Sequence, residues 1–66
     1  MTALPAPGTT VRVLDDAPSA YRRMTGKVEH VGGGEYPVLV DFGRDAMLRD
    51  LPERELFAAD EIEVAS

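Results

Sequence analysis

The apolar residues of this chain arrive in short alternating runs, each closed by a cluster of turn-forming residues, and that spacing most limits the fold. Tyr36-Pro37-Val38-Leu39-Val40-Asp41-Phe42 is the clearest run. Successive side chains alternate across an extended strand, so Tyr36, Val38, Val40 and Phe42 share one face and Pro37, Leu39 and Asp41 the other. Pro37 cannot donate to a ladder, which places it at the strand start or on a sheet edge. Thr9 to Leu14 repeats the pattern, with Val11 and Val13 on one face and Thr10 and Arg12 on the other. Glu61-Ile62-Glu63-Val64 alternates in the same way and ends the chain as a strand.

The remaining segments are less regular. Lys27-Val28-Glu29-His30-Val31 reads as a strand, but Val28 and Val31 stand three apart, which calls for a β-bulge or a strand end at His30. Gly32-Gly33-Gly34 then reads as a hairpin connection, because glycine tolerates positive φ. A triple glycine can also cradle phosphate, but only ahead of a helix N-terminus, and here Glu35-Tyr36-Pro37 follows. Asp15 to Met24 is turn-rich and forms a longer loop. Gly43-Arg44-Asp45 is a tight turn, after which Ala46 to Leu51 is expected to return as a strand, although its intrinsic propensity is helical. Pro52-Glu53-Arg54-Glu55-Leu56 has proline first and acids beside it, the pattern of one 3₁₀ turn before the last strand. The expected core is Val11, Val13, Val28, Val38, Val40, Leu51, Leu56, Ile62 and Val64, with Met47, Phe42 and Phe57 closing its ends.

With 66 residues, the chain has room for one domain, expected over residues 9–66 behind a flexible arm at 1–8 that holds two prolines and a glycine. A domain this small buries only about 60% of the surface its unfolded chain exposes. Cysteine is absent, so neither a disulfide nor a thiolate metal site can staple it. A 44% hydrophobic fraction is that of a globular domain rather than a disordered one. No run is long and apolar enough to span a bilayer, and Met1 to Gly8 lacks the basic and apolar regions of a signal peptide, so the expectation is a cytoplasmic protein. Twelve acids against seven bases give a net charge of −5. Residues 1–34 carry four cations and three anions, +1, whereas residues 35–66 carry three and nine, −6. The overall sign argues against nucleic acid, whose binders neutralise phosphates, and leaves one basic patch around Arg22, Arg23 and Lys27.

Few residues suggest chemistry. His30 is the sole histidine, and one His without Cys or a second His makes a poor metal site. Ser19 and Ser66 have no base beside them in the sequence. Asp15-Asp16 and the acids from Glu53 to Glu63 lack the spaced oxygen ligands of a calcium loop and read as a solvated face. No catalytic residue, metal or cofactor is expected. The constellation that stands out is Tyr21-Arg22-Arg23 with Lys27 and Tyr36, since tyrosine and arginine are enriched at binding hot spots. The competing reading is that Tyr21 caps the core while its arginines offset Asp15 and Asp16.

Taken in order, VRVL, a long loop, GKVEHV, a glycine turn, YPVLVDF, a return strand, PEREL and a final strand resemble a small five-stranded SH3-like β-barrel. Among such barrels the sequence is most similar to the small barrel subunit on the stromal side of photosystem I. The similar stretches are Gly8 to Leu14, Gly26 to Val28, Tyr36 to Phe42 and Phe57 to Val64. The connection from Gly43 to Leu51 is shorter here and the charge balance is acidic. The resemblance implies a non-catalytic barrel that acts as a protein-binding or accessory subunit of a larger complex, with Tyr21, Arg22, Arg23, Lys27 and Tyr36 facing the partner. The alternative is a nucleic-acid- or ribosome-associated module. There Arg22, Arg23, Lys27, Arg44 and Arg49 would contact phosphates, and Tyr21 or Tyr36 would stack on bases.

Overall fold

A computed structural model describes residues 4–65. Five strands form one antiparallel sheet: β1 (Thr10–Val13), β2 (Thr25–Val31), β3 (Val38–Asp41), β4 (Arg54–Phe57) and β5 (Ile62–Val64). Their order across the sheet is β4-β3-β2-β1-β5. A helical turn, α1 (Arg44–Leu48), lies between β3 and β4, and a 3₁₀ turn (Ala59–Glu61) leads into β5. The sheet is not closed between β4 and β5.

Strand β2 organises the sheet because it serves both halves. Thr25 to Lys27 pairs with β1, and Lys27 to Val31 pairs with β3. The irregular spacing of Val28 and Val31 is a bulge: the register shifts between Val28 and His30. The extra residue returns Val31 to the face of Val28, opposite Val38. The three glycines join β2 to β3 as a hairpin, with Gly32 donating to the Pro37 carbonyl at 2.7 Å. The segment before β1 is also tied to the sheet, since Gly8 donates to the Val28 carbonyl at 2.7 Å. Residues 1–3 of the expected arm lie outside the described residues.

One face of the sheet carries the core. Val11, Val13, Val28, Val38, Val40, Phe42, Phe57 and Ile62 are buried as expected. Ala17, Tyr21, Met24 and Ala46 join them from the loop after β1 and from α1. The rings of Tyr21 and Phe42 stack at 4.7 Å, and Phe57 meets both edge-on at 5.9 and 5.8 Å.

Two elements differ from the sequence expectation. The Ala46 to Leu51 segment is not a strand: Arg44–Leu48 is helical, as its own propensity favours. Gly43 opens that turn at φ 59°, and its N–H donates to Asp41 Oδ1 at 2.9 Å. The vacated place beside β3 is taken by Arg54 to Phe57, the stretch read as a 3₁₀ turn, and the 3₁₀ turn falls later, at Ala59–Glu61. Four side chains placed in the core change accordingly. Leu56 pairs with Leu39 on the outer face and is exposed, Met47 lies on the open side of α1, and Leu51 is only partly buried. Val64 shares the inner face with Val11, yet on the edge strand it stays exposed.

Candidate functional site

The loop between β1 and β2 shapes the surface from which a partner could be met. Val13 closes its base twice, donating to the Met24 carbonyl at 2.9 Å and accepting from the Arg23 N–H at 3.0 Å. Inside the loop, Ser19 Oγ accepts from the Tyr21 N–H, and Met24 donates to the Tyr21 carbonyl. These tight turns drive Ala17, Tyr21 and Met24 inward and turn Arg22 and Arg23 outward. Tyr21 is only 3% exposed, and its hydroxyl donates to the Pro52 carbonyl at 2.7 Å. Burial, and secondarily the charge of Glu55, hold the Tyr21 phenol above its ordinary range.

The five residues singled out from the sequence therefore do not form one patch. Tyr21 is a core residue. Lys27 sits on the outer face of β2 between Thr10 and Asp41. Asp41 in turn faces Arg54, which reaches Glu29 at 2.6 Å, so this face alternates in charge and neutralises itself. Tyr36 lies at one depression of the surface, and Arg22 and Arg23 lie at another.

The first depression is a groove of about 390 Å³ among the β1–β2 loop, Tyr36 ahead of β3, β4 and the 3₁₀ turn. Pro18, Ser19, Tyr36, Leu56 and Phe57 line it. Tyr36 and Leu56 are 53% and 52% exposed, whereas Phe57 is almost wholly covered. Glu55 and Glu61 bring two carboxylates to the lining. Glu61 is held in place because its Oε1 accepts the Ala58 N–H at 2.8 Å.

The second depression is a polar recess of about 470 Å³ lined by Asp15, Ala20, Arg22, Arg23 and Arg49. Arg23 takes a positive φ of 68° and grips Asp15 with two donors, Nε to Oδ1 and Nη2 to Oδ2. That pairing lowers the Asp15 carboxyl below its ordinary range, with smaller contributions from Arg12 and Arg22. Arg49 arrives from the end of α1, its N–H donating to the Ala46 carbonyl at 3.0 Å.

The sequence gives no reason to group Pro18, Ser19, Glu55 and Leu56 with Tyr36, because the pattern of Pro52 to Leu56 reads as a turn and not as the strand that pairs with β3. The inward set Ala17, Tyr21 and Met24 carries no periodic signal, because the loop is a series of turns and bends rather than a helix. His30 lies exposed on the outer face of β2, opposite Leu39. Among the described residues, no group of three or more His, Cys, Asp or Glu side chains is placed to hold a metal ion. No helix there is long and apolar enough to cross a membrane. No protein-family model matches the chain, and no curated protein matches its sequence.

Proposed function

We propose that the chain is a non-catalytic SH3-like small barrel that binds another protein as an accessory module of a larger complex. The barrel reading is supported by the strand order, by β2 serving both halves of the sheet, and by the crowding at Gly26. A Cβ built there would stand 2.7 Å from the Asp41 carbonyl, so the end of β3 curls tightly over β2. The observation that carries the functional reading is that Tyr36 and Leu56, both more than half exposed, line the same groove as buried Phe57. Aromatic and aliphatic side chains around a rigid concavity are the usual anchors of a protein interface. Glu55 and Glu61 add a preference for a partner segment that carries a cation next to its apolar side chain.

The test is quantitative affinity capture from the source cell with the wild type and with a Tyr36→Ser, Leu56→Ser variant whose amide spectrum shows an intact fold. The wild type is expected to retain a defined partner and the variant to lose it. Absence of a specific partner, or equal capture by both proteins, refutes the reading. Binding of mixed RNA and DNA across a salt series checks the nucleic-acid alternative: a steep loss of affinity with salt supports that alternative instead.

A further inference from the structure

The recess at Arg22, Arg23 and Arg49 is built on different residues from the Tyr36 groove and has chemistry of the opposite sign. Twelve acids against seven bases would allow every cation an intramolecular partner. Among the described residues, Arg23 pairs with Asp15 and Arg54 with Glu29, while the other five cations, Arg22 and Arg49 among them, have no carboxylate within 4.0 Å. Both line the same recess, one from the β1–β2 loop and one from the end of α1. Three guanidiniums line one concavity, and Asp15 is hydrogen-bonded to one of them, Arg23. The Asp15–Arg23 pair also shows the contact such a site makes, a carboxylate received by two N–H donors of a planar fork.

We propose that this recess binds a carboxylate-rich segment of a protein partner, with Arg22 and Arg49 each taking a carboxylate and the Asp15–Arg23 pair holding the wall between them. Carboxylates fit better than a nucleic-acid backbone because a phosphate strand needs a track of cations, and these cations are confined to one recess. The chain as a whole is negative, which opposes either anion alike. The recess is thus a local exception to the net charge, and it sets the register of an acidic segment rather than supplying bulk attraction.

The experiment follows the Arg Nε–Hε signals of the ¹⁵N-labelled protein during titration with hexaglutamate, at an ionic strength of about 0.02 M to limit screening. Saturable shifts are expected at Arg22 and Arg49 despite the like net charges of protein and peptide. Arg22→Gln or Arg49→Gln should weaken binding about tenfold, the effect of losing one charge-assisted contact near the low end of its range. Tyr36→Ser should leave it unchanged, which separates this site from the groove. The proposal is overturned if hexaglutamate gives no saturable shift or if the two arginine variants bind as the wild type does. It is overturned equally if inorganic phosphate or a mixed single-stranded oligonucleotide saturates the same signals at lower concentration.

Discussion

Gly26→Ala is the most demanding perturbation of this sheet. Gly26 is buried on the core face of β2, opposite Val11 of β1. An added Cβ would lie 2.7 Å from the Asp41 carbonyl oxygen, 2.8 Å from Phe42 Cδ1 and 2.8 Å from Val40 Cγ1. A side chain can rotate away, but the Asp41 carbonyl belongs to the backbone of β3 and moves only if the strand does. Overpacking of this kind costs about 1–3 kcal/mol, and a rigid backbone neighbour places Gly26→Ala toward the upper end. The entropy that alanine removes from the unfolded chain returns about 0.4–1 kcal/mol, leaving a net loss of about 2–2.5 kcal/mol. For a domain of this size each kcal/mol moves the melting temperature by about 4–8 °C, so Tm should fall by about 8–20 °C. Gly33→Ala is the control, because its Cβ would meet nothing within 4 Å and its backbone is outside the left-handed region. It should melt at or slightly above the wild-type temperature. Thermal and urea unfolding followed by far-UV circular dichroism measure both variants. A Gly26→Ala protein as stable as the wild type, or as stable as Gly33→Ala, would refute the close approach of β3 to β2.

Three further outcomes follow from the same packing. Phe57→Ala removes a ring that touches both Tyr21 and Phe42, and the expected loss of about 3–5 kcal/mol matches most of the stability of so short a chain, so its amide spectrum should collapse. In a Tyr36→Phe background Tyr21 is the remaining tyrosine, and its phenolate absorbance should titrate above pH 10.0 when folded and return toward that value in denaturant. The sign is set by the raised folded pKa: the stabilisation is fully present below the unfolded value and is lost as pH rises toward the folded one. Urea midpoints should therefore fall above about pH 10, and a midpoint flat through that range would contradict the burial. Asp15→Asn breaks an ion pair between two exposed side chains, so the melting temperature should not move measurably; a clear drop would mean that the pair holds the β1–β2 loop closed.

Local patterning was legible where alternation and turn chemistry agreed. Val11 and Val13, Val38 and Val40, the bulge near His30 and the glycine hairpin all lie where the sequence places them. It misled between Gly43 and Leu56. A strand is needed beside β3, and Ala46 to Leu51 is the nearest apolar segment that could supply it. The helical propensity of Ala46, Met47 and Leu48 prevailed there, and Arg54 to Phe57 paired with β3 instead. Periodicity reads which face a residue occupies within its own element, and it carries no information on which element supplies the neighbouring strand.

The sequence by itself determined a small, acidic, cysteine-free chain of short strands, because length, charge and alternation are properties of the chain before it folds. Only the tertiary structure decided which exposed residues act together. It drew Tyr21 into the core, where its hydroxyl is satisfied by Pro52, and so removed the most prominent member of the expected patch. It brought Leu56 to Tyr36 and Arg49 to Arg22, pairs separated by 20 or more positions. Such contacts depend on loop path and strand register, and both are settled by the burial of one shared core rather than by the local sequence.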